Sequence, residues 1–365
     1  MRGGFMLKIY IVGAHSRAQT VAEYIRCLYP DVRVEAYLYD NEEPNPGSIG
    51  KRPVIRLDGK VDLNPVYPVC IGTRGVYHER LAASLKKMGF EKVYPVTPEM
   101  DTRLRNAYVR KHYADKGRRF LKLEELDAVQ KSTQADMKKR IYIARSVFDK
   151  ALESEYETEP YEKELQAGAA LTMERLSSDI LTDDVGDNIS VKNKQYCELT
   201  ALYWLWKHAD EDVLGLVHYR RHFILPKDWF MRMREHKVDV VLPVPLYVAP
   251  SLADNFKKRH DPAVWETMMG CLQERDMAES REAEVIFRKN LYSPCNMFIM
   301  RKEALDDLCT WMFPVLFQTE RRVGKKTDDY QNRYPGFLSE RLISFFFEKN
   351  RKKYKVVYAD KNFLR

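Results

Sequence analysis

No two cysteines in this sequence stand at C-x-x-C spacing, and the six present (Cys27, Cys70, Cys197, Cys271, Cys295, Cys309) are scattered through mostly apolar stretches. That pattern argues against a zinc ribbon or a disulfide framework and favours reduced core thiols. No apolar run reaches the ~18 residues of a membrane span. The opening MRGGFMLKIYIVGAHSRA carries one basic residue and then enters a strand pattern, unlike a secretory leader, so a cytoplasmic location is expected. Charge of one sign is scarce as well. With 61 Lys+Arg against 53 Asp+Glu the net charge is +8, enough for phosphate ligands or peripheral contact with an anionic membrane, but without the dense basic stripe of a nucleic-acid binder. What is present is globular: 45% hydrophobic and 31% charged residues over 365 positions, a length that predicts two domains.

The first half has a βα rhythm. Leu7–Val12 reads as a buried strand, Gly13-Ala14-His15-Ser16-Arg17-Ala18 as a small-residue turn, and Val21, Ile25 and Leu28 as one helical face. A strand, turn and helix in that order let backbone N–H groups approach a phosphate. The glycine fingerprint is incomplete, since Ser16 and Ala18 stand where a dinucleotide site prefers glycine. A second strand, Val32–Leu38, ends at Asp40, placed to meet a ribose hydroxyl. Strands at 53–55, 68–72 and 93–96 and a helix over 77–88 complete a small parallel sheet of Rossmann type. IYIVGAHSRAQTVAEYI and PVCIGTRGVYHERLAASLKKMGF resemble the nucleotide-sugar-binding domain of bacterial sugar acetyltransferases. That resemblance implies a pocket bordered by Gly13, His15, Arg17, Gly72 and Arg74; the alternative is a degenerate scaffold without a ligand. The boundary is expected near Lys131, giving domains 1–130 and 131–365.

A second α/β pattern opens at Arg140–Ser146 and sets Ala144, Arg145 and Ser146 at a strand's carboxyl end, the edge where such sheets collect ligands. Asp183 to Asn188 is a turn by composition, with Ser190 expected to cap the following helix. Tyr196, Leu199, Leu202, Tyr203 and Trp206 form a core-facing helical stripe. The apolar strand Val213–Val217 then delivers His218-Tyr219-Arg220-Arg221 to its carboxyl end. Adjacent arginines there suit a pyrophosphate, because the planar guanidinium makes bidentate, charge-assisted bonds to phosphate oxygens. The competing reading pairs them with Asp183, Asp184 or Asp187. Further on, a Gly336 turn just before Glu340 suggests a general base at a helix start, or a carboxylate opposing the helix dipole. The basic run Lys349–Lys353 is either a solvated helix end or a contact to anionic lipid.

Four stretches in order, GDNISVKNKQYCELTALYWLWK, GLVHYRRHF, CNMFIMRKE and YQNRYPGFLSERL, resemble the domain of unknown function 4422 family over about 138–365. Its members sit in capsular and exopolysaccharide gene clusters and are regarded as GT-A-like glycosyltransferases. The resemblance implies an α/β fold, a nucleotide-sugar donor and a glycan or lipid-linked glycan acceptor. It places Glu340 as catalytic base with His218 as a second catalytic residue, Arg220, Arg221, Asp187 and Asn188 on the donor, and Asn296 and Met297 near the acceptor. His218-Tyr219-Arg220 stands where a GT-A enzyme usually carries Asp-x-Asp. A manganese or magnesium requirement is therefore in doubt, and Asp183, Asp184 and Asp187 are left as metal ligands, as ribose contacts or as residues that shape the turn. Rival readings are a non-catalytic nucleotide-sugar-binding protein of the same pathway and an NAD-linked sugar-nucleotide enzyme. The imperfect glycine spacing and the lack of a Tyr-x-x-x-Lys pair count against the second.

Overall fold

Both faces of the apolar strands in this chain are buried, so each sheet needs cover on two sides. The computed structural model describes residues 6–58, 60–129, 137–153 and 156–364. It divides into two compact units, Met1–Phe120 and Leu121–Arg365. The boundary expected near Lys131 lies outside the described residues. The observed division comes earlier because Leu123 and Leu126 are buried in the second unit's core and the Lys122 ammonium lies 2.6 Å from Asp360.

In the first unit the elements are β1 (Leu7–Val12), α1 (Ser16–Leu28), β2 (Val32–Tyr39), β3 (Ser48–Ile49), β4 (Arg52–Arg56), β5 (Val69–Ile71), α2 (His78–Lys87), β6 (Val93–Pro95) and α3 (Pro98–Ala114). They make a six-stranded sheet in the order β3-β4-β2-β1-β5-β6. It is parallel except for the short β3–β4 pair. Ile9 and Ile11 point to the face covered by Val21 and Ile25 of α1, and Tyr10 and Val12 to the face covered by Leu81 and Leu85 of α2. The expected Rossmann-type sheet is thus present, although β2, β4 and β5 are joined by loops rather than helices. α3 starts at Thr97, whose hydroxyl accepts the Met100 N–H at 3.2 Å, followed by Pro98 and two acids in the first turn.

The second unit begins with β7 (Lys139–Arg145), β8 (Glu162–Gln166), β9 (Leu181–Thr182), α4 (Asn193–Tyr196), α5 (Leu199–His208) and β10 (Val213–His218). Next come α6 (Trp229–Glu235), β11 (Val240–Pro243), β12 (Leu246–Tyr247), α7 (Leu252–Arg259), α8 (Pro262–Arg275), α9 (Met277–Phe287) and β13 (Leu291–Tyr292). β14 (Phe298–Arg301), α10 (Lys302–Val323), α11 (Asp329–Asn332), α12 (Tyr334–Lys349) and β15 (Val356–Ala359) complete it. Its seven-stranded sheet runs β15-β11-β14-β10-β7-β8-β9. β14 is antiparallel to both of its neighbours, and the remaining pairs are parallel. Leu214 and Leu216 of β10 face the large helical core, while Val213 and Val217 face Trp229 and Leu123. That is why the strand reads as an unbroken apolar run.

Two local expectations fail. The helix expected through Tyr196 breaks at Cys197, whose φ of 51° ends α4 before α5 begins. Ser190 is not a cap; its hydroxyl donates to Asp183 and accepts the Ala170 N–H. Of the basic run, Lys349 and Lys353 are paired with Glu279 and Asp307. Among the described residues no helix is long and apolar enough to cross a membrane.

Gly215 sits at the centre of β10 because a Cβ there would lie 2.9 Å from Ile141 Cγ1 and 3.2 Å from Ile299 Cγ1, on the two flanking strands. Gly215→Val therefore overpacks the sheet, with an expected loss of ~1–3 kcal/mol. An unchanged urea midpoint would contradict this.

Candidate active site

The carboxyl ends of β7 and β10 meet the entry to antiparallel β14. β10 stops in a tight turn: the His218 N–H donates to the Arg221 carbonyl at 3.2 Å and the Arg221 N–H to the His218 carbonyl at 2.9 Å. The Tyr219 N–H reaches back to Ala144 O at 3.2 Å, and the Leu364 N–H holds Arg220 O at 2.8 Å. His218 Nε2 faces the Cys295 carbonyl, which can only accept, so Nε2 carries the proton; the same nitrogen is 3.7 Å from Glu198 Oε1.

The stretch between β13 and β14 turns through two left-handed residues, Cys295 (φ 77°) and Asn296 (φ 49°). Asparagine tolerates that region, whereas cysteine pays a steric cost there. Three parts of the chain hold the conformation in place: α12, the end of β10 and the break between α4 and α5. Glu340 Oε1, from α12, accepts the Cys295 N–H at 2.6 Å, and His218 takes the Cys295 carbonyl. The Asn296 amide donates to Glu198 Oε1 at 2.7 Å and to Gly336 O at 3.0 Å, while Ser339 Oγ donates to Asn296 Oδ1 at 2.8 Å. Glu340, His218 and Asn296, read separately in the sequence, thus converge on one loop. Glu198, which was not singled out, joins them from the break between α4 and α5, a break the local sequence does not mark.

Glu340 lies within α12, not at its start, and Gly336 is helical rather than a turn. Its second oxygen accepts from Arg341 Nη1 at 2.7 Å. Burial raises the Glu340 pKa; Arg341, the Cys295 N–H and His218 oppose the rise, and Glu198 adds to it. The group therefore grips a proton more tightly than an ordinary carboxylate. Asp149, also missed, is raised by burial too, against the Ser146 N–H (2.7 Å) and the positive charge of Arg145, His218 and Arg220.

Neither Arg220 nor Arg221 has an ion-pair partner among the described residues. The Arg220 guanidinium lies 5.0 Å from the Tyr219 ring centroid and that of Arg221 5.3 Å from Phe363, and Arg220 Nε is buried without a partner. Arg145 pairs with Glu164 yet also leaves its Nε unpartnered. Ala144 is buried and Ser146 turns the chain after β7. Met297 is 1% exposed and belongs to the core, not to a surface facing a ligand.

The acids offered as alternative partners are engaged elsewhere. Asp183 is fully buried and accepts from Gly168 N (2.9 Å), Ala169 N (3.1 Å) and Ser190 Oγ (2.5 Å). Asp184 pairs with Arg175 at 3.1 Å, and Asp187 accepts from Tyr203 at 3.1 Å and faces Lys207 at 3.7 Å. Asn188 bonds the backbone of its own turn, at Asp184 O and Gly186 O. Three carboxylates with separate partners, one of them saturated, do not fit a shared divalent ion.

In the first unit Gly13, His15, Arg17, Gly72 and Arg74 are brought together, all lining one cleft of about 470 Å³.

No curated protein matches this chain. Among solved structures, a bifunctional glycosyltransferase, WbbM, in its apo form is similar, with 24% identity and a TM-score of 0.54 over 62% of this chain and 45% of that one. The chain thus spans less than half of that relative, and the likeness is one of fold; it bears out the α/β class expected from the sequence. Core-mannan synthase A of Aspergillus fumigatus, in a Mn/GDP form, aligns with 99% of this chain and 75% of its own at 10% identity, but its TM-score of 0.23 carries no argument. The model of the family described as a domain of unknown function (DUF4422) matches residues 140–351, more than half of the sequence. The chain belongs to the DUF4422 family.

Proposed function

We propose that the second unit is a glycosyltransferase that moves a sugar from a nucleotide-sugar donor to a glycan or lipid-linked glycan of surface polysaccharide assembly, met from the cytoplasmic side. The observation that carries this reading is a largely buried carboxyl, Glu340, joined through the Cys295 backbone in one hydrogen-bonded cluster with His218, at the strand end that also bears two arginines without an ion-pair partner among the described residues. Arg220 and Arg221, with Arg145 nearby, neutralise the charge that grows on the departing nucleoside diphosphate. Glu340 takes the proton from the acceptor hydroxyl as its oxygen bonds to the anomeric carbon and the carbon–phosphate-oxygen bond breaks. His218 and Glu198 are positioning residues that hold the Cys295–Asn296 loop.

A second reading, binding without turnover, is favoured by one fact: both Glu340 oxygens already accept hydrogen bonds. Nucleotide release from a panel of nucleotide sugars, with and without manganese or chelator and with a lipid-linked acceptor present, separates the two. We expect release with at least one donor. Arg220→Ala combined with Arg221→Ala is expected to raise donor KM at least ~10-fold, since each lost charged hydrogen bond costs ~1.5–3 kcal/mol. Donor binding without turnover sinks the transferase reading; an unchanged KM sinks the phosphate role of the arginines.

A further inference from the structure

Beside Glu340 the second unit carries an aromatic cluster that the transfer step does not use. Tyr330 of α11 and Phe337 of α12 have ring centroids 5.0 Å apart. The His260 imidazole, at the end of α7, stacks on Phe337 at 4.2 Å and on Tyr330 at 5.5 Å, with interplanar angles of 22° and 26°. Gln331 locks the two helical segments together: its amide donates to Arg259 O at 3.2 Å and accepts the Asp261 N–H at 3.3 Å. His260 is buried by this packing, yet Tyr330 stays 44% exposed and Phe337 half-buried. The rings thus form a held platform that is open to solvent.

The platform adjoins the Glu340 cluster. Phe337 stands three residues before Glu340 on α12, so their side chains share one helix face. Arg341 ties them: its Nη1 donates to Phe337 O at 3.0 Å and to Glu340 Oε2 at 2.7 Å. Its guanidinium lies 4.4 Å from the Tyr292 centroid and 5.8 Å from that of Phe256, the ring that also touches His260 at 4.7 Å. Three polar atoms of these buried side chains have no hydrogen-bond partner: Asn255 Oδ1, His260 Nδ1 and Arg341 Nε. Buried polar atoms are seldom left so, and three in neighbouring side chains call for partners from outside the chain.

Two exposed arginines flank the rings. Arg333 lies 5.8 Å from the Phe337 centroid and donates through Nε to Cys197 Sγ at 3.0 Å, and Arg259 adjoins His260. Neither has an acidic ion-pair partner among the described residues. Burial, with Arg341 and Arg259, pushes the His260 pKa down to about 4. The imidazole is therefore neutral near neutral pH, and the positive field comes from the arginines.

We propose that this platform is the subsite of an anionic glycan acceptor. A sugar ring packs its C–H face on Tyr330 and Phe337, and a carboxylate or phosphate group that it carries meets Arg259 and Arg333. C–H edges are weakly positive and aromatic faces weakly negative, so a pyranose stacks there with its hydroxyls still free to bond. Guanidinium forks match the oxygens of either anion. A neutral sugar would leave both arginines uncompensated. The role as acceptor rests on the transferase reading of Glu340; the binding site does not.

The test is calorimetric titration of the full chain with methyl glycosides of uronic acids, hexose 1-phosphates, a hexose on a short prenyl diphosphate, neutral methyl hexosides, UDP and GDP. At least one anionic glycan is expected to bind at least ~5-fold tighter than its neutral counterpart. Arg259→Ala combined with Arg333→Ala should remove that preference, and Tyr330→Ala should weaken anionic and neutral glycans alike by ~2–10-fold. A retained melting temperature shows an intact fold; if the double variant loses it, Arg259→Ala alone should at least halve the preference. Tightest binding of the uronic glycosides, the hexose phosphates or the prenyl diphosphate identifies the anion as a sugar carboxylate, a sugar phosphate or a lipid diphosphate. The proposal is overturned if no glycan binds, if neutral sugars bind as tightly as every anionic one, or if the preference survives loss of the arginines. It also falls if Tyr330→Ala weakens UDP or GDP instead, which would give the platform to the donor. Failure of the transferase reading shows separately, as glycan bound through these residues with no nucleotide released from any donor in its presence.

Discussion

Exchanging Glu340 for glutamine is expected to lower kcat for sugar transfer by ~10²–10⁴-fold, the usual contribution of a positioned general base, with donor KM little changed. The two side chains are nearly the same size, and the amide oxygen can still accept the Cys295 N–H that the carboxylate now takes at 2.6 Å. What is lost is the ability to take a proton. The amide N–H₂ must also face Arg341, so a modest fall in melting temperature accompanies the exchange. The pH profile separates catalysis from structure. Burial raises the Glu340 pKa, so at low pH the folded enzyme carries a protonated, inactive acid. Activity should therefore climb with pH along a limb displaced above the ordinary carboxylate range, and Glu340→Gln should erase that limb. A variant that keeps its turnover, or one that loses activity only in proportion to lost folded protein, would assign Glu340 to holding the Cys295–Asn296 loop alone.

Asp183→Ala is expected to destabilise the second unit by about 3 kcal/mol, lowering its melting temperature by roughly 6–12 °C. The fully buried carboxylate accepts two backbone N–H groups, from Gly168 and Ala169, and the Ser190 hydroxyl. Truncation leaves those donors buried in a space too tight to rearrange freely, since Gly168 lies against Asn193 with φ 71°. Asparagine should recover only part of the loss, because it offers one acceptor oxygen where the carboxylate offers two. Activity at a temperature where the variant is folded should remain, with or without manganese. A manganese-dependent loss of activity at an unchanged melting temperature would instead return Asp183 to the role of metal ligand.

Much of the architecture could be read along the chain. Strands with both faces buried appear as short apolar runs bounded by turn residues, and β1, β7 and β10 lie where those runs do. The carboxyl-end position of Arg145 and of His218 to Arg221 follows from strand direction alone. The pocket residues of the first unit were readable for a similar reason: in a parallel sheet, turns after neighbouring strands share one edge. The breaks were harder to see. Cys197 and Cys295 adopt positive φ values that no local preference of cysteine announces. Glu198 was missed because its hydrogen-bond partner, Asn296, is 98 positions away in sequence.

The acidic turn and the pair of arginines show where such reading stops. Composition placed Asp183, Asp184, Asp187, Arg220 and Arg221 within one stretch and left open whether they neutralise one another. In the folded chain the acids bond Gly168, Ala169, Ser190, Arg175, Tyr203 and Lys207, and the arginines lie over aromatic rings. The sequence by itself determined the two α/β layers, the strand ends and the residue types available there, because hydrophobic period and turn chemistry are short-range. Only the tertiary structure decided that Glu340, His218, Glu198 and Asn296 form one cluster and that Asp183 is a loop staple. Those outcomes depend on which distant backbone donors a carboxylate meets once the chain has packed, and burial then sets the strength with which Glu340 holds its proton.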